Sequence, residues 1–171
     1  MDLRHARQAR RLIAIVVALV VSIDQVTKAL AVRELAGRGL VSILGGALHL
    51  ELYRNFAGSG NRLTGHPVLV SLLALLAVAA ITAGATRVRT RVAAVAGGLM
   101  LGGGISNLLD RLLRAPGPLR GGVVDWLKPT VSGGSMNLAD LAITAGVAVV
   151  VVTALVGAWR TRGGRPLPGP A

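Results

Sequence analysis

The groups able to do chemistry in this chain are few, and they are mainly its seven carboxylates: Asp2, Asp24, Glu34, Glu51, Asp110, Asp125 and Asp140. Cysteine is absent, which removes thiolate nucleophiles, thiolate metal sites and disulfides. No HExxH zinc motif occurs, and His5, His49 and His66 are too scattered in sequence to suggest a metal site. There is no Walker loop and no GxSxG elbow, and the serines fall into no recognisable Ser/His or Ser/Lys arrangement. What remains is paired carboxylates. Two aspartates held together at low dielectric cannot both ionise comfortably, so they share a proton. One then acts as general base on a water while the protonated one polarises a carbonyl. That chemistry hydrolyses a peptide bond without metal or covalent intermediate.

The elements that must position such groups are membrane spans. Of 171 residues, 53% are hydrophobic and 15% charged, against roughly a quarter charged in a soluble domain. The length leaves room for four or five crossing helices of about 20 residues each. Four segments satisfy that rule: Leu12 to Val32, Val68 to Thr86, Val92 to Leu109 and Leu141 to Trp159. Only the first contains charge, as Asp24 and Lys28. An alternative reading makes that first segment a cleaved signal peptide, with Ala29-Leu30-Ala31 as the processing site. The polar Asp24, Gln25, Thr27 and Lys28 standing before that site argue against it. The net charge of +12 would suit a nucleic-acid binder in a soluble protein, but here the basic residues flank apolar runs, so no nucleic-acid partner is expected.

Ten arginines fall in residues 1–11, 86–91 and 160–171, whereas the longer connections, 33–67 and 110–140, hold eight basic residues in more than twice the length. The positive-inside rule therefore puts both termini in the cytoplasm and both long connections outside. The chain then reads as a basic N-terminus over 1–11, one membrane domain over 12–159 and a disordered Gly/Pro-rich tail over 160–171. Leu48 to Arg54 alternates apolar with polar side chains, and Val123 to Leu127 lies between Gly121-Gly122 and Lys128-Pro129, so two short strands are expected outside. Five glycines between Gly97 and Gly104 would let helices approach closely.

On this topology Asp24, Asp110, Asp125 and Asp140 all converge near the outer leaflet. Ionisable groups at membrane depth cost a few kcal/mol and usually serve a site or a partner. Each also has an ordinary structural explanation. Asp24 and Lys28 can neutralise one another at i,i+4. Asn107 and Asp110, beside Arg111, can anchor the end of the third helix. Asn137 can cap the fourth, with Asp140 in its first turn. Asp125, after two valines and before Trp126, has the weakest such explanation.

Taken in order, Asp24-Gln25-Val26-Thr27-Lys28, Asn55, Asn107-Leu108-Leu109-Asp110-Arg111, Val123-Val124-Asp125-Trp126 and Asn137-Leu138-Ala139-Asp140 among four spans resemble lipoprotein signal peptidase, signal peptidase II. The resemblance covers Leu12 to Trp159. It implies a helical fold of four transmembrane helices with a small extracytoplasmic β-cradle, in the cytoplasmic membrane of a bacterium. It also implies an aspartyl endopeptidase that cuts diacylglyceryl-modified prolipoproteins just before the lipidated cysteine. Asp125 and Asp140 match the catalytic dyad. Asp24, Lys28, Asn55, Asn107, Asp110, Arg111, Asn137 and Ala139 match positions that organise the site or hold substrate. Prolipoproteins, membrane lipids and globomycin-type inhibitors are the implied partners of a monomer, with no metal or cofactor. The chain departs from the family pattern after Asn55, where a glycine stands one place late at Gly58, and at Ser106, Met136 and Trp126. Such departures leave open a divergent or inactive paralogue. A small proton-coupled transporter would also carry intramembrane aspartates, but it needs polar groups through the full depth.

Overall fold

Each uninterrupted apolar run becomes a helix, because in a bilayer only a helix satisfies its own backbone hydrogen bonds within one segment. The computed structural model describes residues 3–58, 63–85, 87–131 and 133–163. Its helices are α1 (Leu3–Leu35), α2 (Pro67–Ala85), α3 (Arg91–Leu113) and α4 (Leu138–Gly163), and its strands are β1 (Val41–Ile43), β2 (Leu48–Asn55) and β3 (Val123–Pro129). All four helices are long and apolar enough to cross a membrane; the chain is a multi-pass membrane protein with a small sheet. The helices run past the apolar runs on which the spans 12–32, 92–109 and 141–159 rest. α1, with 33 residues, is about 50 Å long at 1.5 Å per residue. α3 continues through Asn107, Asp110 and Arg111, whose polar side chains find partners inside the bundle. α4 continues to Gly163, so the tail expected to be disordered from Arg160 begins as helix; residues 164–171, like Thr86 at the end of the second expected span, lie outside the described residues.

α3 is the centre of the bundle. Ala9, Ile13, Ala94 and Leu101 form a buried apolar cluster, with Val78, Ile81 and Ala85 of α2 packed against it. The glycine stripe works on two faces. A Cβ at Gly98 or Gly102 would overlap Val16 or Val20 of α1, and one at Gly103 would overlap the backbone carbonyl of Ala139 on α4. The other faces of α2 and α4 are apolar and unburied, with Leu76 66% and Leu155 65% exposed, as expected of side chains that meet lipid.

The sheet is antiparallel in the order β1-β2-β3. The alternation at Leu48 to Arg54 does form a strand, although its burial is intermediate along most of its length rather than cleanly alternating. A register shift between Leu50 and Tyr53 is one cause; beyond it Tyr53 pairs with Asp125 and Asn55 with Val123. β1 has three residues, too few for any alternation to announce it. The sheet joins the bundle where β3 enters it: Val123, Val124 and Asp125 are all buried.

Candidate active site

The four aspartates singled out above meet at one end of the bundle, and they divide into two pairs. The first pair surrounds Lys28. Its Nζ lies 2.8 Å from Asp24 Oδ2 and 3.0 Å from Asp110 Oδ2, and it donates to Asn107 Oδ1 at 2.8 Å. An ammonium has three donors, and all three are used. Asp24 also accepts from Ser106 Oγ at 2.7 Å and from the backbone N–H of Ala139 at 2.9 Å. One carboxylate thus fastens α1 to α3 and to the first turn of α4. Asp110 accepts from Arg114 Nε at 2.6 Å, Gln25 Nε2 at 3.1 Å and the backbone N–H of Val124 at 3.0 Å. It therefore holds β3 one residue before Asp125. Asp24 and Lys28 are 0% exposed and Asp110 1%, a depth tolerable only because each charge is paired and hydrogen-bonded.

The second pair is Asp125 and Asp140. Asp125 Oδ1 accepts from Asn137 Nδ2 at 2.6 Å, and Oδ2 from Asn55 Nδ2 at 3.0 Å. Asp140 Oδ1 accepts from Asn107 Nδ2 at 2.9 Å, and Oδ2 from the backbone N–H of Asn137 at 3.2 Å. Asn137 Oδ1 in turn accepts from the backbone N–H of Asp140 at 3.0 Å. Asn137 and Asp140 thus form a reciprocal cap on α4, of the kind that orders a first helical turn, while the Asn137 amide reaches across to Asp125. Capping and site geometry are one arrangement. Burial, assisted by the nearby Asp140, pushes the Asp125 carboxyl up to about 6, against the opposing hydrogen bonds from Asn55 and Asn137 and the charge of Lys28.

Both carboxylates line a cavity of about 700 Å³. Asn55, Asn107 and Arg111 line its polar end; Val70, Ala74, Ala77, Val78 and Ile81 of α2 and Ile143 and Thr144 of α4 line its sides. Arg111 is 4% exposed, and its Nη1 has no hydrogen-bond partner. Among the described residues only Trp126 Nε1 shares that condition. A buried guanidinium donor left unused at the wall of the cavity can donate to a group that enters it.

Every residue selected from sequence falls in this assembly: Asp24, Lys28, Asn107, Asp110, Asn137 and Ala139 in the buried network, and Asn55, Arg111, Asp125 and Asp140 at the cavity. Gln25, Ser106 and Arg114 belong to the network as well. Ser106, a departure from the family pattern by sequence, accepts from Gln25 Nε2 at 3.0 Å while donating to Asp24. Arg114 stands four residues from Asp110, a helical spacing that pairs charges. The departure after Asn55 is also accommodated: Asn55 Oδ1 accepts from the backbone N–H groups of Ala57 and Gly58 at 3.1 and 2.9 Å. Gly58 sits at φ +76°, where a side chain would be strained. Ser59 to Arg62, including Asn61 at the end of that loop, lie outside the described residues. Glu51, bonded to Ser135 Oγ and to Lys128 Nζ at 3.2 Å, secures the segment before Asn137 to the sheet.

Comparison with known proteins adds independent findings. The signal peptidase (SPase) II family profile matches residues 16–156. The lipoprotein signal peptidase of Mycolicibacterium smegmatis is 38% identical over 163 residues, covering 93% of this chain and 67% of that protein. That of Mycobacterium avium is 38% identical over 151 residues, covering 86% and 80%. A solved bacterial membrane enzyme, determined in meso at 2.3 Å, superposes with a TM-score of 0.74 at 21% identity over 91% of this chain and 94% of its own; it shares the fold. With a profile spanning the first apolar run to the fourth, and the residues of five separate motifs gathered at one end of the bundle, the chain belongs to the signal peptidase II family.

Proposed function

We propose that this protein is an aspartyl endopeptidase that removes the signal peptide from diacylglyceryl-modified prolipoproteins, cutting N-terminal to the lipidated cysteine. The observation that carries the reading is the unequal treatment of the two aspartate pairs. Lys28 neutralises Asp24 and Asp110, while Asp125 and Asp140 receive only neutral amide donors and face a cavity. In the reaction, the two carboxylates share one proton. The ionised member takes a proton from a water as its oxygen attacks the scissile carbonyl, and the protonated member donates to the developing oxyanion. Collapse of the tetrahedral species expels the amine, which leaves protonated by the same pair. Arg111 Nη1 donates to a substrate backbone carbonyl, and Asn55 and Asn137 hold Asp125 at the correct angle.

The apolar sides of the cavity on α2 and α4 receive the signal peptide laterally from the bilayer, with the acyl chains left in lipid. In this proposal the protein sits as a monomer in the bacterial cytoplasmic membrane, its arginine-rich segments and both termini in the cytoplasm and its site near the extracytoplasmic face. Globomycin-type inhibitors occupy the same cavity. The test is mass analysis of products from a fluorescent diacylglyceryl lipopeptide treated with the purified protein. The expected result is one cut directly before the lipidated cysteine, abolished by globomycin. Equal cleavage of the unlipidated peptide, or none of either, contradicts the proposal.

A further inference from the structure

Asp125 takes hydrogen bonds from Asn55 and Asn137, and both amides are connected to one side chain outside the cavity lining, Glu51.

The first connection runs through the register of the sheet. Leu50 pairs with Leu127, but three residues further along β2 Tyr53 pairs with Asp125, only two residues back along β3. β2 therefore has two residues, Glu51 and Leu52, where β3 has Trp126 alone, which is the count of a β-bulge. The extra residue decides which side chain meets Asp125. Partners directly across a sheet share a face, as do residues two apart along a strand. Asn55, two beyond Tyr53, thus shares the face of Asp125. Continued without the bulge, the register of Leu50 would set Leu52 opposite Asp125 and Arg54 in the place of Asn55. A cation would then replace a neutral amide on that face. Glu51 belongs to the bulge, and its Oε2 accepts from Lys128 Nζ at 3.2 Å, which braces the bulge against β3.

The second connection runs through Ser135, whose Oγ donates to Glu51 Oε1. Ser135 lines the cavity and stands two residues before Asn137. Between them, the Met136 N–H donates to the Leu127 carbonyl at 2.7 Å and the Met136 carbonyl accepts from the Leu127 N–H at 2.9 Å. These backbone bonds hold Met136 to β3, and the Ser135 bond ties the residue before it to β2. Glu51 is 21% exposed and Lys128 31%, and so open an ion pair contributes little to stability. Its effect is to be sought in the site.

We propose, on the peptidase reading of Asp125 given above, that Glu51 is a positioning residue: by joining the bulge of β2 to Ser135, it keeps the Asn55 and Asn137 amides on the two oxygens of one carboxylate.

The test is the pH dependence of kcat and KM for lipopeptide cleavage by the full chain. It compares wild type, Glu51→Ala, Ser135→Ala, the double variant and a control of equal charge loss, Glu34→Ala, at an exposed pair with Arg33. No cleavage by folded wild type contradicts the peptidase reading, and the inference falls with it. Given cleavage, Glu51→Ala should lower kcat about tenfold, the scale of a hydrogen bond, with KM little changed. The alkaline limb of kcat/KM should move upward, because both amides favour ionised Asp125 and loosening them lets it keep its proton to higher pH. Asp140, Lys28 and Arg111, the charged groups that act on Asp125, are unaltered in every variant. Loss of the Glu51 charge acting through space would move the limb downward, and a smaller folded fraction would lower activity without moving it. Ser135→Ala should move the limb in the same direction, and the double variant should lose less than the product of the single losses, since both break one connection. Glu34→Ala should behave as wild type. An unmoved or downward limb in Glu51→Ala, or losses that multiply, overturns the proposal. If Glu51→Ala does not fold in detergent, Ser135→Ala decides: a raised KM with the limb unmoved marks a substrate contact alone, and an unchanged profile marks no role, and either overturns the proposal.

Discussion

Asp24 and Asp110, compared with Asp125 and Asp140, show how one residue type is held in two different ways at one end of the bundle. An ionised carboxylate has about four acceptor positions. Asp110 fills them with Lys28, Arg114, Gln25 and the Val124 N–H, and Asp24 takes Lys28, Ser106 and the Ala139 N–H. Cations supply three of those seven bonds. Asp125 and Asp140 receive two each, all from neutral amides. The first pair is tied to Lys28 and has little acceptor capacity left; the second retains acceptor capacity toward the cavity. Asn107 connects them, accepting from Lys28 and donating to Asp140. The ion-paired half is thus joined through Asn107 to the half proposed to react.

Substitutions can break this comparison at four points. The largest effect on rate is expected for Asp140→Asn, which removes the shared proton's second site. Cleavage of the lipopeptide should fall about 10³-fold or more, with the thermal midpoint near that of wild type. Next is Lys28→Met, which leaves two buried carboxylates without their common cation. Unfolding should become easier by about 3–5 kcal/mol, and unchanged stability would mean that the pair is not held by this lysine. Arg111→Gln should lower kcat/KM by about ten- to a hundredfold, one hydrogen bond from a charged donor, with little change in thermal midpoint because its Nη1 holds nothing in the free protein. The smallest and most diagnostic effect is on pH. Asp125 loses its proton near pH 6, and a pair that works by sharing one proton loses activity as pH rises through that value. Asn55→Ala removes a hydrogen bond that favours ionised Asp125, so the alkaline limb of kcat/KM should move upward; a downward move would reverse the sign of this account.

Much of this was legible in sequence because the strongest signals were local. Apolar run length located the four helices, i,i+4 spacing paired Asp24 with Lys28, and Asn137 three residues before Asp140 announced a helix cap. Helix ends were less legible, since Asn107, Asp110 and Arg111 extend α3 through partners on α1 and β3 that no window along the chain contains. The pairing of Lys28 with Asp110 crosses two helices for the same reason. Ser106 stood out only as a departure from the family pattern; its role became visible once Asp24 and Gln25 lay opposite it. β1 carried no periodic signal, because three residues cannot show one.

The most direct test of the central claim crosses the two pairs in one measurement. Asp24→Asn and Asp125→Asn are each assayed for lipopeptide cleavage and for thermal midpoint. Asp125→Asn is expected to lose cleavage and keep its midpoint, while Asp24→Asn loses midpoint first and retains cleavage in the fraction that stays folded. If Asp125→Asn still cleaves, or if Asp24→Asn keeps a wild-type midpoint yet loses cleavage, the division between a positioning pair and a reacting pair is wrong.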